Sequence, residues 1–304
     1  MRALPSPRQL RYLVTVAETL HFGQAADRCN VTQSTLSAGI RELEGLLGVT
    51  LIERQSRRRV VITPIGHEIV ARAERLLADT ETLVDVAAAG SSPLSGLLRL
   101  GVIPTIGPYL LPAALPDIRR RYPDLRLYLR EALTDTLLEA LAAGRLDAVL
   151  VATPFDLRGM ASVALGDEDV VAALPADHRL AGHATLREDD LAGETVLVLE
   201  DGHCLRDHAL AACRMDRGRS DQRFQATSLA TLTQMVAAGL GVTLLPRMAV
   251  GREVVPDGGV VVRDLADVRT ARTLTLAWRP GAAREADFRL LADLLREAHG
   301  RTAG

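Results

Sequence analysis

The sequence contains no lysine: its 36 basic residues are all arginine, and 38 acidic residues bring the formal net charge to −2. A total so close to zero excludes a chain that is basic throughout, although an average can conceal one basic module. No apolar run approaches the roughly 20 residues that span a bilayer, and the first residues lack the apolar core of a signal peptide. We therefore expect a cytoplasmic protein with no membrane association.

Cysteine is almost as scarce, because the 304 residues include only three. Cys29 lies among alanines on a helical pattern, which is typical of a buried, unreactive thiol. Cys204 and Cys213 form a close pair, and in a reducing compartment such a pair is more often redox-active or metal-binding than structural. The segment 202–207 also combines a possible helix start with neighbouring cationic side chains, which favour a thiolate.

The first 63 residues alternate short helical patterns with turns. Apolar spacing predicts helices over 8–20, 23–29 and 32–47, with Thr32 as an N-cap and Gly48 as a C-terminal stop. The short turn before the third helix is typical of a helix-turn-helix. Two short apolar strands, 51–54 and 60–62, enclose a basic tip and predict a hairpin wing.

This module is basic, with nine arginines against five acidic residues in positions 1–63. Such a balance favours phosphate binding, and short polar side chains at the start of the third helix could reach base edges. A solvated helical domain with an ordinary arginine cluster is the alternative. The predicted DNA contacts are Thr32, Gln33, Ser34, Thr35, Ser37, Arg41, Arg54, Arg57, Arg58 and Arg59.

Residues 64–89 carry one apolar stripe at helical spacing. A helix of this length would extend about 39 Å at 1.5 Å per residue. Long helices with a single apolar stripe commonly pair with a second helix, so we interpret it as a dimerisation helix; packing against its own chain is the alternative. A Gly-Ser-Ser-Pro sequence over 90–93 follows it and indicates a hinge.

From residue 95 onward, apolar strands alternate with helical patterns. This alternation predicts an α/β domain with largely parallel sheets. The expected strands are 97–103, 125–129, 147–151, 170–174, 195–199, 225–227, 242–245, 260–262 and 273–277.

An ordered series of motifs resembles the LysR-type transcriptional regulators. The motifs are Phe22–Ala26, Thr32–Ser37, Ile40–Glu44, Leu47–Val49, Leu51–Arg54, Thr63–Gly66, Gly144–Asp147 and Met235–Pro246. The resemblance implies an all-α-type winged helix-turn-helix domain over 1–63, a linker helix over 64–90 and a hinge over 91–94. It also implies an α/β effector domain over 95–304, built from two Rossmann-like lobes like a periplasmic binding protein. Lobe I would cover about 95–168 plus 270–304, lobe II about 169–269, and the assembly would be a homotetramer formed as a dimer of dimers.

Three further segments are similar to the peroxide-sensing OxyR branch of that family. They are Leu199–Asp207 followed by Cys213, Ile103–Pro112, and Arg272–Thr273 followed by Trp278–Gly281. The resemblance implies that Cys204 is the peroxidatic thiol and Cys213 the resolving thiol. It likewise implies a peroxide pocket lined by Thr105, Thr134, His203 and Arg272. The chain departs from many relatives at Ser34 and Gly39, and Gly39 should cost its helix roughly 1 kcal/mol and remove a possible base contact. It also departs at His208, where close relatives often have glutamine.

The implied chemistry needs no cofactor and no metal. A thiolate attacks one peroxide oxygen to form a sulfenic acid, and a second thiol condenses with it to a disulfide. In a helix the two cysteine Cα atoms would lie on the order of 13 Å apart, whereas a disulfide requires roughly 4.4 to 6.8 Å. Oxidation should therefore unwind this segment, repack its surroundings and move the DNA-binding modules. The implied partners are promoter DNA, hydrogen peroxide, RNA polymerase and a thiol reductant of the glutaredoxin or thioredoxin type.

Other functions remain open on the residues alone. A LysR-type regulator could instead bind a small metabolite between its lobes, with the thiols incidental. A thiol peroxidase or a solute-binding protein would belong to a different class, but the basic winged module argues against both. His203, Cys204, His208 and Cys213 could bind zinc, although their spacing matches no common zinc template.

Overall fold

The structure is a computed structural model that describes residues 3–56, 59–89, 92–203, 205–206, 225–266 and 272–302. The chain divides into two compact units, 1–90 with 140–145 and 91–139 with 146–304. Across these described ranges, no helix combines the length and the apolar character that a membrane span requires.

The first unit begins with three helices whose bounds match the predictions to within two residues. They are α1 (Pro7–Thr19), α2 (Phe22–Arg28) and α3 (Gln33–Leu47). Ser6 caps α1 through a capping box with Gln9, and Thr32 caps α3 by accepting a hydrogen bond from the Thr35 amide. Gly48 ends α3 in the left-handed conformation, φ 71°, which glycine adopts without a steric penalty.

The three helices pack around one apolar core. Leu13, Val16, Leu36 and Leu43 are buried there, where each such side chain contributes about 1.5–3 kcal/mol relative to an exposed position. The predicted hairpin wing is present as strands β1 (Ile52–Ser56) and β2 (Arg59–Ile62), which pair antiparallel.

The helix predicted over 64–89 is observed as α4 (Pro64–Ala89). Its apolar stripe is divided between two environments. Ile69, Ala73 and Leu77 pack against the core of the helix-turn-helix, whereas Leu76 and Leu83, seven residues apart, are 55% and 71% exposed. The chain itself therefore covers one side of the helix, and pairing of the exposed side with a second helix stays a prediction.

The second unit contains a five-stranded sheet in the order β4–β3–β5–β13–β6, which we call lobe I with its helices. Its strands are β3 (Gly96–Val102), β4 (Leu125–Glu131), β5 (Ala148–Thr153), β6 (Ala161–Glu168) and β13 (Arg272–Trp278). The helices are α5 (Gly107–Arg121), α6 (Thr134–Ala142) and α9 (Glu285–Thr302). Trp278 is fully buried, and its ring centroid lies 5.6 Å from that of Phe288 on α9.

A four-stranded sheet in the order β11–β7–β12–β8 forms lobe II. Its strands are β7 (Val170–Pro175), β8 (Thr185–Leu186), β11 (Thr243–Pro246) and β12 (Val260–Leu265), and a separate parallel pair consists of β9 (Val198–Leu199) and β10 (Gln225–Ala226). The helices are α7 (Leu229–Ala237) and α8 (Arg247–Glu253), and a short 3₁₀ turn covers Glu188–Leu191.

The prediction of largely parallel sheets is only half right, because β3 pairs parallel with β4 and β5, and β8 with β12, whereas other pairs are antiparallel. In lobe I, β13 runs antiparallel to both β5 and β6, and in lobe II β7 runs antiparallel to both β11 and β12. The chain leaves lobe I at the end of β6 and returns to it in β13, so these neighbours run in opposite directions. Strand direction depends on such long-range connections, which local alternation of strands and helices does not reveal. Strands β6 and β8 were absent from the sequence prediction.

Candidate functional site

The site lies at the edge of the lobe I sheet where the parallel strands β3 and β4 end. These two strands pair in register, Val102 beside Glu131, and each is followed by a threonine a few residues later. Thr105 follows β3 and Thr134 begins α6, and both are buried. The strand order also reverses direction at β3, with β4 on one side and β5 on the other, which is where open α/β sheets generally bind ligands.

Arg272 brings its charge to the same edge because β13 begins where the antiparallel neighbour β5 ends. The side chain is 0% exposed. Its Nη1 donates to Thr105 Oγ1 and its Nη2 to the Thr105 carbonyl, both at 2.8 Å. Since Thr105 Oγ1 accepts there, the hydrogen of that hydroxyl is directed elsewhere and can serve as a donor.

Glu168 is the counter-ion of Arg272, and sequence reasoning missed it. One carboxylate oxygen, Oε2, accepts from Arg272 Nε at 2.9 Å and lies 2.7 Å from Nη2. The other, Oε1, accepts from the amide of Met248 in the first turn of α8, at 3.2 Å. Glu168 and Arg272 are also register partners on β6 and β13. The only possible sequence signal was the strand β6, because an ion pair across 104 positions has no local signature.

Thr134 contributes an unpaired polar atom. Its Oγ1 is buried and has no hydrogen-bond partner among the described side chains and backbone groups. An unpaired buried hydroxyl costs about 1–3 kcal/mol, so such a group commonly faces a ligand, a water or a neighbouring side chain.

His203 lies on the loop that follows β9. This loop is held by Arg206, which donates to the Leu199 carbonyl at 2.9 Å and forms an ion pair with Asp201. Gly202 packs closely on the residue before Thr134, because a Cβ there would lie 2.9 Å from Leu133 Cδ1. The structure therefore places the His203 loop against the same sheet edge as the two threonines.

Burial sets the protonation of His203. Desolvation lowers the pKa of its imidazole, and the Glu200 carboxylate, 4.0 Å away, opposes this shift only in part. The neutral ring is therefore favoured at physiological pH, and one of its nitrogens can accept a proton or a hydrogen bond. Cys204 and Cys213, the predicted thiol pair, lie outside the described residues.

The predicted DNA-binding face is the start of α3. Thr32, Gln33, Ser34 and Thr35 are exposed there, as is Arg41 farther along the helix. Thr32 Oγ1 lies 2.9 Å from Ser34 Oγ and 2.8 Å from Thr35 Oγ1, so these hydroxyls form one small cluster.

Two α3 positions differ from expectation because they face the core. Ser37 is 8% exposed, so little of this residue is accessible as a DNA contact. Gly39 is buried against Tyr12, and a Cβ at Gly39 would lie 2.8 Å from Tyr12 Cδ2. The absence of a side chain here permits helix packing, and the expected loss of a base contact at this position is not supported.

The structure describes the backbone of two of the four wing arginines. Arg54 and Arg59 lie on β1 and β2, close to the tip of the hairpin, at the positions predicted for a basic wing. Arg57 and Arg58 lie outside the described residues.

Family models match most of the chain. Residues 7–67 match the bacterial regulatory helix-turn-helix protein, lysR family, and residues 91–300 match the LysR substrate binding domain. The chain belongs to the LysR family. LysR-type proteins are DNA-binding transcriptional regulators and not enzymes, so the basic helix-turn-helix has its function in DNA binding.

Relatives of this LysR-type regulator match it along nearly its full length. The HTH-type transcriptional regulator EstR of Acinetobacter baylyi is 43% identical over 97% of this chain and 98% of its own. The DNA-binding transcriptional dual regulator OxyR of Escherichia coli K12 is 44% identical over 95% of this chain and 94% of its own. A full-length OxyR variant from Pseudomonas aeruginosa has a similar structure, with a TM-score of 0.77, 38% identity, and coverage of 96% of this chain and 98% of that one.

Metal binding receives no support from the part of the LysR-type regulator that the structure describes. Within those residues, no group of three or more His, Cys, Asp or Glu side chains converges on a common point. His208 and both members of the thiol pair lie outside that part.

Proposed function

We propose that this protein is a transcriptional regulator that senses hydrogen peroxide through Cys204. The thiolate attacks one peroxide oxygen and forms a sulfenic acid, the other oxygen leaves as water, and Cys213 then condenses with the sulfenic acid to give a disulfide and a second water. A thiol reductant of the glutaredoxin or thioredoxin type returns the pair to the reduced state.

The observation that carries this proposal is the buried polar cluster of Thr105, Arg272 and Thr134 beside the His203 loop. A cavity for a metabolite would present several polar groups to a larger ligand. Within the described residues, this edge instead offers two threonine hydroxyls and one neutral imidazole, with the guanidinium already bound to protein groups. A set of small, buried polar groups suits a ligand as small as peroxide, whose leaving oxygen needs hydrogen bonds as negative charge develops on it.

The names of several relatives agree with this function. The Pectobacterium carotovorum protein, 44% identical over 95% of both chains, is called hydrogen peroxide-inducible genes activator. EstR is equally similar, and its name does not mention peroxide. Overall identity therefore does not choose between a peroxide sensor and a regulator that binds a metabolite, and the choice depends on the site.

The domain organisation and the assembly belong to the same proposal. Residues 1–63 would bind promoter DNA, 64–90 would form the dimerisation helix, 91–94 the hinge and 95–304 the sensing domain. The exposed strip of α4 that contains Leu76 and Leu83 supports helix pairing between subunits. We propose a homotetramer, built as a dimer of dimers, whose rearrangement on oxidation changes its contacts with promoter DNA and RNA polymerase.

The decisive experiment is intact and peptide mass spectrometry of the reduced protein after one equivalent of hydrogen peroxide. We expect a rapid loss of about 2 Da, corresponding to two hydrogens, that maps to a Cys204–Cys213 disulfide. Cys204→Ser should abolish the loss. Cys29→Ser is the matched control and should leave it unchanged, since Cys29 is half-buried in the other unit with its Sγ 3.5 Å from Thr15 Oγ1.

Slow oxidation that reaches Cys29 as readily as Cys204 would contradict the peroxide function. A small ligand that binds equally well to Cys204→Ser and to the unmodified chain would favour the metabolite regulator. Repeated turnover of peroxide with a reductant and without DNA binding would favour a thiol peroxidase.

A further inference from the structure

Glu168 and Arg272 lie on the two strands that connect the lobes. Glu168 is the last residue of β6, and Asp169 alone separates it from β7 of lobe II. Arg272 is the first residue of β13, where the chain has returned from lobe II to lobe I. The ion pair is thus built across the two strands at the point where both pass between the lobes.

Both side chains are buried, and each satisfies the other. Arg272 is 0% exposed and Glu168 3%. A buried guanidinium without a counter-ion is unfavourable, and the contacts of Nε and Nη2 with one carboxylate oxygen, Oε2, both neutralise the charge and hold the group in place. With the guanidinium held there, Nη1 and Nη2 both reach Thr105.

We propose that Glu168 is a positioning residue of the sensing site: it holds the Arg272 guanidinium on Thr105 and offsets its positive charge. This inference rests on the proposed function, in which Cys204 reacts at the same edge of the sheet. With Glu168 in place, the Arg272–Glu168 pair carries no net charge at this edge. Arg272 therefore orients the threonine hydroxyl more than it stabilises a thiolate.

Among the residues that the structure describes, Glu168 is the carboxylate paired with Arg272. Asp167 and Asp169 flank it, but both side chains are exposed, and solvent screens their charges. The favoured form of His203 is neutral, and Glu200 faces that imidazole from a half-exposed position.

The test uses four variants of the full-length reduced protein, and the rate of Cys204 alkylation by iodoacetamide is measured against pH. Glu168→Gln keeps an oxygen for the Met248 amide but removes the charge. Because Arg272 is then uncompensated, the alkylation profile should shift to lower pH by about one unit, a roughly tenfold gain in thiolate below the pKa. Glu168→Asp keeps the charge and should leave the profile in place even if the shorter side chain lowers stability.

Two further variants complete the design. Glu168→Gln combined with Arg272→Gln buries no uncompensated charge, so it should fold even if the single variant does not, and its profile should return towards the wild type. Glu253→Gln removes a carboxylate at the other end of α8 and should leave the profile unchanged.

An unshifted profile in folded Glu168→Gln, or an equal shift in Glu168→Asp, would overturn the inference. If Glu168→Gln does not fold, the double variant decides. It contains no cation at position 272, so an alkylation profile shifted to lower pH in that variant would also overturn the inference. Alkylation requires no peroxide, so failure of the peroxide reaction in the wild type would count against the proposed function and not against the role of Glu168.

Discussion

Tyr109 on α5 donates a hydrogen bond of 2.6 Å to Glu253 at the end of α8, and so joins lobe I to lobe II. Burial raises the pKa of the Tyr109 phenol, and the bond to Glu253 raises it further. The phenol therefore remains protonated, and a donor, throughout the physiological range. Together with the Glu168–Met248 contact, this bond attaches both ends of α8 to lobe I.

We expect Tyr109→Phe to lower the free energy of unfolding by about 1–3 kcal/mol, because the variant loses the bond and leaves the Glu253 carboxylate without its donor. Urea denaturation followed by circular dichroism measures this change. Tyr128→Phe is the control: Tyr128 is 53% exposed on the edge strand β4, and its substitution should change stability by less than about 0.5 kcal/mol. Equal effects of the two variants would show that the contact between α5 and α8 contributes nothing.

A second prediction concerns acid stability and His203. The folded protein has the lower imidazole pKa, so the unfolded chain binds the proton more tightly. The wild type should therefore lose stability as pH falls below the ordinary histidine value of about 6.5, and the loss should level off below the folded pKa. His203→Gln should remove this part of the pH dependence, as measured by urea denaturation between pH 5 and 8. The control His67→Gln replaces an exposed histidine and should retain the pH dependence. The same change of stability with pH in the wild type and in His203→Gln would contradict the prediction.

Two glycines of α3 should respond in opposite directions to alanine. Gly39→Ala places a Cβ against the Tyr12 ring and should destabilise the helix-turn-helix by about 1–3 kcal/mol. Gly45 lies on the same helix, and a Cβ there would meet no atom within 4 Å. Gly45→Ala should therefore stabilise the helix-turn-helix by about 0.5–1 kcal/mol. Thermal unfolding of the two variants beside the wild type gives both values. Stabilisation by Gly39→Ala would mean that Tyr12 moves aside freely.

The DNA-binding face gives a fourth prediction, which needs no knowledge of the operator. Arg41 is exposed on α3, and we expect it to neutralise one phosphate. Arg41→Ala should then reduce the slope of log K against log salt by about one, with fluorescence anisotropy on a random duplex as the measurement. Arg28→Ala, which removes a side chain paired with Glu18, should give the smaller change. An unchanged slope for Arg41→Ala would exclude a phosphate contact.

Local sequence patterns predicted the first unit well. Caps at Thr32 and Gly48 and apolar spacing define helices over short distances, and the structure agrees with them to within two residues. The orientation of individual α3 residues was predicted less well. Ser37 and Gly39 are small enough for either side of a helix, so only their packing against neighbouring helices identifies them as buried.

Long-range pairing accounts for most of the failures in the second unit. The strand β6 was missed, because its residues 161–168 mix small and acidic side chains with few β-branched ones. With β6 missing, nothing indicated that Glu168 would face Arg272. The resemblance did indicate Thr105, Thr134, His203 and Arg272, and it is the family pattern, not composition or spacing, that selected them.

The register of β6 and β13 also constrains how these lobes could be exchanged between related proteins. Successive side chains on a strand point to opposite faces, so inserting one residue into 161–168 would turn Glu168 away from Arg272 and leave a buried cation alone. A chimaera that imports lobe II should therefore keep both strands from a single parent and join the sequences after residue 168 and before residue 272. A junction inside either strand could take Glu168 and Arg272 from different parents, although the two charges depend on each other.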